Sequence, residues 1–202
     1  PRSIDLDDNC KNIHNSYECA QAIEHYQKKY WGKYFVRKKG QLEFALTNWK
    51  RVILKDIEDS PKTNPDEVKL YSFKDYIQSI GYFLIHLQYY EGDEYLMINA
   101  KTGKQYLIPA PPYLSPNKKR FVSVSASEAY NFNGIKIWEI AADGLRLEWT
   151  YEPGEYALYN FIEWVDNKTI KVNKFTIKNN KEVNIHQLLR KDEDSNWKLV
   201  ND

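Results

Sequence analysis

Cysteine is scarce in this chain of 202 residues: Cys10 and Cys19 are its two thiols, and both lie in the first tenth. No second Cys or His pair follows at zinc-like spacing, so a metal site built on them is not expected. An isolated pair nine residues apart at a terminus is placed to staple a loose arm to a helix. A Cys10–Cys19 disulfide in an oxidising compartment is therefore the expectation, with two free thiols as the alternative. Net charge is also nearly absent, at 29 basic against 28 acidic residues. No whole-protein field points to nucleic acid or an anionic surface. No run approaches the roughly 20 apolar residues of a bilayer-crossing helix, so no membrane span is expected. Glycines number eight, and most fall at turns or caps. The chain contains no Gly-x-Ser-x-Gly elbow, phosphate loop, dinucleotide fingerprint or His-Glu-x-x-His. Nucleophilic and nucleotide chemistry have no foothold, and neither a catalytic residue nor a cofactor is assigned. The sequence begins at Pro1. An upstream segment removed before that point is expected, a secretory signal being one form of it.

What is present is a large share of apolar residues, 42%, and of aromatic ones, 15%, enough to fill a core. Asn15-Ser16-Tyr17-Glu18 resembles a helix start, and Cys19, Ile23, Tyr26 and Tyr30 follow at helical spacing. A helix over about 16–30, stopped by Gly32, is predicted to pack residues 1–32 onto the rest. From Tyr34 onward the pattern alternates with period two, and one antiparallel β domain is predicted over 33–202. Phe83 to Tyr89, a Glu91-Gly92-Asp93 turn and Tyr95 to Ile98 read as a hairpin. Gly40, Gly92 and Gly144 each separate two apolar runs and lie 52 residues apart, and the next such step lands on Asn196. Four equivalent hairpins, turning at Gly40, Gly92, Gly144 and Asp194-Ser195, are the expectation. Ser72 to Gly81 departs from the pattern, with Phe73, Tyr76, Ile77 and Ile80 on one helical face, and is predicted as a short helix.

A period near 50 with this density of strands suits propeller-type repeats. Residues 95–140 carry the particulars. Tyr95 to Lys104 ends in Thr102-Gly103-Lys104, and Ser115-Pro116-Asn117-Lys118 precedes a strand at Phe121. Trp138 stands in Lys136-Ile137-Trp138-Glu139-Ile140. This resembles the blade junction of TolB-like and WD-repeat β-propellers, in which a Thr-Gly-Lys turn is followed by Ser-Pro-Asp-Gly-Lys and the innermost strand of the next blade. Asn117 and Lys118 replace the usual Asp-Gly, and Trp138 lacks its usual Asp. The resemblance implies a small or incomplete propeller, and a sandwich fits the same pattern.

His86 and His186 occupy similar hairpin positions without a ligand partner at metal spacing and read as solvent-facing strand residues. Asp5 to Asn9 and Asp192 to Asn196 offer oxygens at i, i+2 and i+4 but lack the glycine and distal glutamate of a calcium loop. They read as a polar arm and a hairpin turn. Asn167-Lys168-Thr169 is a glycosylation sequon that reads here as a turn. Tyrosines number sixteen and tryptophans six. Tyr89, Tyr90, Tyr113, Tyr130, Tyr151 and Tyr156 fall at or beside turns, where a ring with a polar tip is suited to recognition. The sequence therefore points to a periplasmic or secreted bacterial binding module, of inhibitor or immunity type. Its partner is expected to be a protein or a cell-envelope component, met through aromatic loops. A hydrolase of cell-wall or polysaccharide substrates using two turn carboxylates is the alternative.

Overall fold

The computed structural model describes residues 10–127, 131–154, 157–178 and 181–201. Among the described residues the chain is mainly β, with one N-terminal helix and four antiparallel sheets. Among the described residues no sheet closes into a barrel. Contacts divide it into two units, residues 1–108 and 109–202, each with its own core.

In the first unit, helix α1 (Ser16–Trp31) starts where Asn15 caps it: the Asn15 carbonyl oxygen accepts from the amides of Tyr17 and Glu18 at 2.8 and 3.1 Å. Cys10 and Cys19 lie with their sulfurs at disulfide distance and their Cα atoms 5.1 Å apart, which ties the preceding arm to the first turn. The face that α1 buries is Ala20, Ile23, Glu24 and Gln27, rotated from the expected stripe, and Tyr30 stands exposed. Of these buried positions Glu24 is polar because it covers a sheet edge, accepting from Phe73 N at 2.8 Å.

Strands β1 (Phe35–Lys38), β2 (Gln41–Ala45) and β3 (Arg51–Lys55) form a three-stranded meander. Lys39 and Gly40, with φ of 44° and 71°, make the two-residue turn between β1 and β2, whose twist matches that of the strands. A second meander contains β4 (Leu70–Ile77), β5 (Tyr82–Gln88), β6 (Asp93–Asn99) and β7 (Gln105–Ile108). Phe35, Leu42 and Phe44 from the first sheet pack against Phe73, Phe83, Ile85 and Ile98 from the second, and the Phe35 and Phe73 rings stack at 4.1 Å.

β4 corrects the helix expected from Ser72. Phe73 pairs with Ile85 and Asp75 with Leu84, leaving Lys74 as an extra residue. The bulge brings Phe73 and Tyr76 to the same face at a spacing of three, which imitates helical periodicity within a strand.

The second unit contains two further meanders. The first is β8 (Tyr113–Leu114), β9 (Arg120–Ser125), β10 (Gly134–Ala141) and β11 (Gly144–Tyr151). The other is β12 (Ala157–Asp166), β13 (Thr169–Lys178), β14 (Lys181–Lys191) and β15 (Trp197–Asn201). Their shared core holds Val122, Ile135 and Ile137 against Tyr159, Ile170, Val172, Leu189 and Trp197.

Hairpins do turn at Gly40, Gly92, Gly144 and Asp192–Asn196. They are not four equivalent pairs. The Gly144 and Asp192–Asn196 hairpins are strands three and four of their sheets. The Gly92 hairpin is the central pair of its own, and Gly40 joins the first two strands of a three-stranded sheet. The spacing of 52 therefore equates different strand pairs, whereas the four-stranded meanders begin at Leu70, Tyr113 and Ala157, 43 and 44 residues apart.

Candidate functional site

The tyrosines expected to form a binding face are placed differently from one another. Tyr89 is half-buried, and its hydroxyl donates to Glu94 Oε2 at 2.9 Å. Burial, together with that carboxylate, pushes its phenol well above the ordinary range. Tyr90 is 57% exposed. Tyr113 is 44% exposed, yet one face of its ring lies against Phe161 at 4.0 Å, and its carbonyl accepts from Trp164 Nε1 at 2.9 Å. Tyr151 stacks on Trp149 and meets Tyr159 edge-on at 5.6 Å, so it belongs to the core packing. Tyr130 and Tyr156 lie outside the described residues. Tyr113 and Tyr151 sit on the two outer strands of one sheet, three strand spacings or about 14 Å apart across it. They do not form a cluster.

The histidine expectation divides. His186 is exposed on β14. His86 is packed instead: its ring stacks on Tyr95 at 4.8 Å, and Nε2 lies 2.5 Å from Asp93 Oδ2. A carboxylate seven residues away came into reach because β5 and β6 pair across the Gly92 turn. Among the described residues no group of three or more His, Cys, Asp or Glu is placed to hold a metal. Asp192 closes its hairpin by accepting from the Asn196 amide at 2.8 Å and pairs with Lys198 at 2.7 Å, so that cluster is a turn. The arm Asp5 to Asn9 lies outside the described residues. In the sequon, Asn167 Oδ1 accepts from the Asn117 amide at 2.9 Å, again a turn contact.

Of the exposed large hydrophobic side chains among the described residues, Trp49 stands furthest into solvent, at 96% exposure. It occupies the tip of the β2–β3 hairpin. Leu46 N donates to Lys50 O at 2.9 Å and Trp49 N to Leu46 O at 3.2 Å, closing the turn, while Asn48 Oδ1 accepts from Lys50 N. Trp49 has φ 65°, a left-handed conformation that Gly or Asn adopts readily and a bulky residue adopts at a cost of about 1–3 kcal/mol. The structure thus holds an indole ring outward on strained backbone.

The base of this hairpin is seated on the β6–β7 turn. Thr47 N donates to Ala100 O at 2.9 Å, and a Cβ added at Gly103 would come within 2.9 Å of Leu46 Cδ1 and 3.1 Å of Val52 Cγ2. Gly103, with φ 76°, is what allows the two turns to close together. That contact brings Lys101 and Lys104 to the same end of the unit as Lys50 and Arg51. Lys33 joins them, because Tyr34 O accepts from Ala45 N. All five cations are exposed. Arg51 also reaches Glu43 at 3.5 Å, and Lys33 and Lys104 lie over the rings of Tyr34 and Tyr106. Residues 30–36, 44–52 and 95–108, which meet at this end, carry Lys33, Lys50, Arg51, Lys101 and Lys104 and no Asp or Glu. A nearly neutral chain therefore carries a basic end crowned by a tryptophan.

The remaining buried charges are structural. Arg37 bonds Glu24 and Asp56, and through these three side chains the open backbone of edge strand β4 is satisfied: Asp56 accepts from Tyr71 N at 2.9 Å, Glu24 from Phe73 N at 2.8 Å, and Arg37 donates to Tyr71 O. Burial pushes the Asp56 carboxyl up, against the pull of the Tyr71 amide and Arg37. In the second unit Glu148 accepts from Arg120 at 2.7 Å and from Lys191, joining β11 to β9 and β14.

Fold and site define a protein of antiparallel β meanders with a capped N-terminal helix and an exposed aromatic turn. Comparison with protein-family models, curated proteins and solved structures finds no match for the chain.

Proposed function

We propose that this chain is an extracytoplasmic bacterial binding module, of inhibitor or immunity type, that recognises a macromolecular partner of the cell envelope through an exposed aromatic turn. The observation that carries the reading is Trp49, a fully solvated indole on a left-handed backbone position. Neither packing nor hydrogen bonding accounts for a tryptophan there. Indole rings dominate binding energetics where a few residues supply most of the affinity. The five cations behind it supply long-range attraction and register toward a partner of opposite charge. The disulfide-distance Cys10–Cys19 pair is compatible with an oxidising compartment and supports a periplasmic or secreted location.

Kinship with TolB-like and WD-repeat propellers belongs to the same proposal. It is supported by three consecutive four-stranded meanders, the topology of a propeller blade, spaced 43 and 44 residues apart.

A photoreactive phenylalanine analogue at position 49, illuminated in the presence of cell envelopes, tests the recognition reading. One saturable product, absent when the analogue stands at Lys62, supports it. Equal labelling from both positions removes it.

A further inference from the structure

The convexity of the Trp49 turn and the sign of its surroundings restrict the partner further, and the step rests on the binding reading above. Trp49 projects from the hairpin rather than lining a hollow, as its 96% exposure requires. A projecting ring is buried either by a partner with a matching pocket or by a surface that yields around it. Lys50, Arg51, Lys101, Lys104 and Lys33 surround the same end, and the segments that carry them contain no carboxylate except Glu43. A bilayer interface favours an indole at headgroup depth, and anionic headgroups attract clustered Lys and Arg at the same level. In a peripheral association the apolar and electrostatic contributions add.

We infer that the Trp49 end of the first unit docks on an anionic phospholipid surface, with the indole at the headgroup–acyl boundary and the five cations among the phosphates. The association is peripheral and reversible. It needs no ordered site for a single lipid, and it falls steeply with ionic strength because the cations are exposed and screened within about 8 Å at physiological salt. Glu43 works against it by holding Arg51.

The test is co-sedimentation of the purified chain with large unilamellar vesicles of phosphatidylcholine alone and of phosphatidylcholine with one quarter phosphatidylglycerol, at 50 and 500 mM salt. Binding is expected on the anionic vesicles alone, weakened at least tenfold at the higher salt. Trp49→Asn should weaken it about tenfold. The pair Lys50→Gln and Lys101→Gln should weaken it about 25-fold, roughly fivefold for each cation. Lys62→Gln, in the loop between β3 and β4, should leave it unchanged. Thermal unfolding of each variant, compared with the parent, separates lost binding from lost fold.

Absence of binding to anionic vesicles at 50 mM salt overturns the inference. So does binding indifferent to Trp49→Asn and to the double lysine variant, or equal binding to uncharged vesicles. Soluble polyglutamate competing as well as anionic vesicles, without dependence on Trp49, overturns it in favour of an anionic polymer. Position-specific crosslinking to envelopes that survives any of these results leaves the binding reading standing without the lipid.

Discussion

Arg37 holds Glu24 through two parallel hydrogen bonds, Nε to Oε1 at 2.9 Å and Nη2 to Oε2 at 2.7 Å, while its Nη1 reaches Asp56 Oδ2 at 2.7 Å. One guanidinium thereby joins helix α1, strand β1 and the chain that follows β3, and the two carboxylates it neutralises accept from the open edge of β4. The planar fork is what makes this possible, since an ammonium could not span both carboxylates in the same geometry. Glu24 is buried on α1 for this reason.

Replacing Arg37 by Leu leaves two buried carboxylates without their cation, so the first unit should lose about 3–5 kcal/mol of stability. Arg37→Lys should recover little of it. Chemical denaturation measures both. A loss below about 1 kcal/mol for Arg37→Leu would show that the network is dispensable.

Glu148 supplies a pH dependence in the second unit. Burial alone would raise its carboxyl, but hydrogen bonds from Arg120 and Lys191 outweigh burial and hold it below its usual 4.5. A depressed carboxyl contributes stability that is fully present above its unfolded value and is lost as pH falls through its folded one. The difference in unfolding free energy between the parent and Glu148→Gln should therefore be constant near neutrality and shrink below about pH 4.5. A difference independent of pH would refute this assignment.

The Cys10–Cys19 pair closes a short loop, so its removal should cost about 2–3 kcal/mol in the chain-entropy account. Denaturation of the double Ser variant measures the loss, and thiol titration of the denatured, unreduced parent should find none.

The tyrosines separate by environment. Tyr151→Ala removes a ring packed on Trp149 and Tyr159 and should cost about 2–3 kcal/mol, whereas Tyr113→Ala loses one stacked contact, about 1 kcal/mol. Tyr90→Ala, at an exposed position, should fall within about 0.5 kcal/mol. Thermal denaturation of the three variants orders them, and a large loss at Tyr90 would contradict the placement.

Local signals made much of this fold legible. Asn15 and Gly32 bracket α1, and each strong turn residue in an alternating stretch became a hairpin. The misreadings arose where tertiary contacts changed a local period. The Lys74 bulge made β4 look helical, and capping of the β4 edge turned Glu24 inward, while Tyr30 stands exposed. Spacing between glycines could not reveal which strands of a sheet each hairpin joins. The site itself left a readable trace that the whole-chain balance of charge concealed: Thr47-Asn48-Trp49-Lys50 places a tryptophan inside a turn, within a segment whose only carboxylate from His25 to Lys55 is Glu43. Seating of that turn against Gly103, and with it the gathering of five cations, depended on contacts between residues about fifty positions apart.

In Trp49→Asn the left-handed backbone separates stability from binding. Asn adopts φ near 65° without the penalty of an indole, so the variant should melt at the same temperature as the parent or slightly higher. Its equilibrium binding to isolated cell envelopes should nevertheless weaken about tenfold, as expected when an exposed aromatic anchor is removed. Undiminished envelope binding by the stable variant would make Trp49 an exposed ring with no part in recognition.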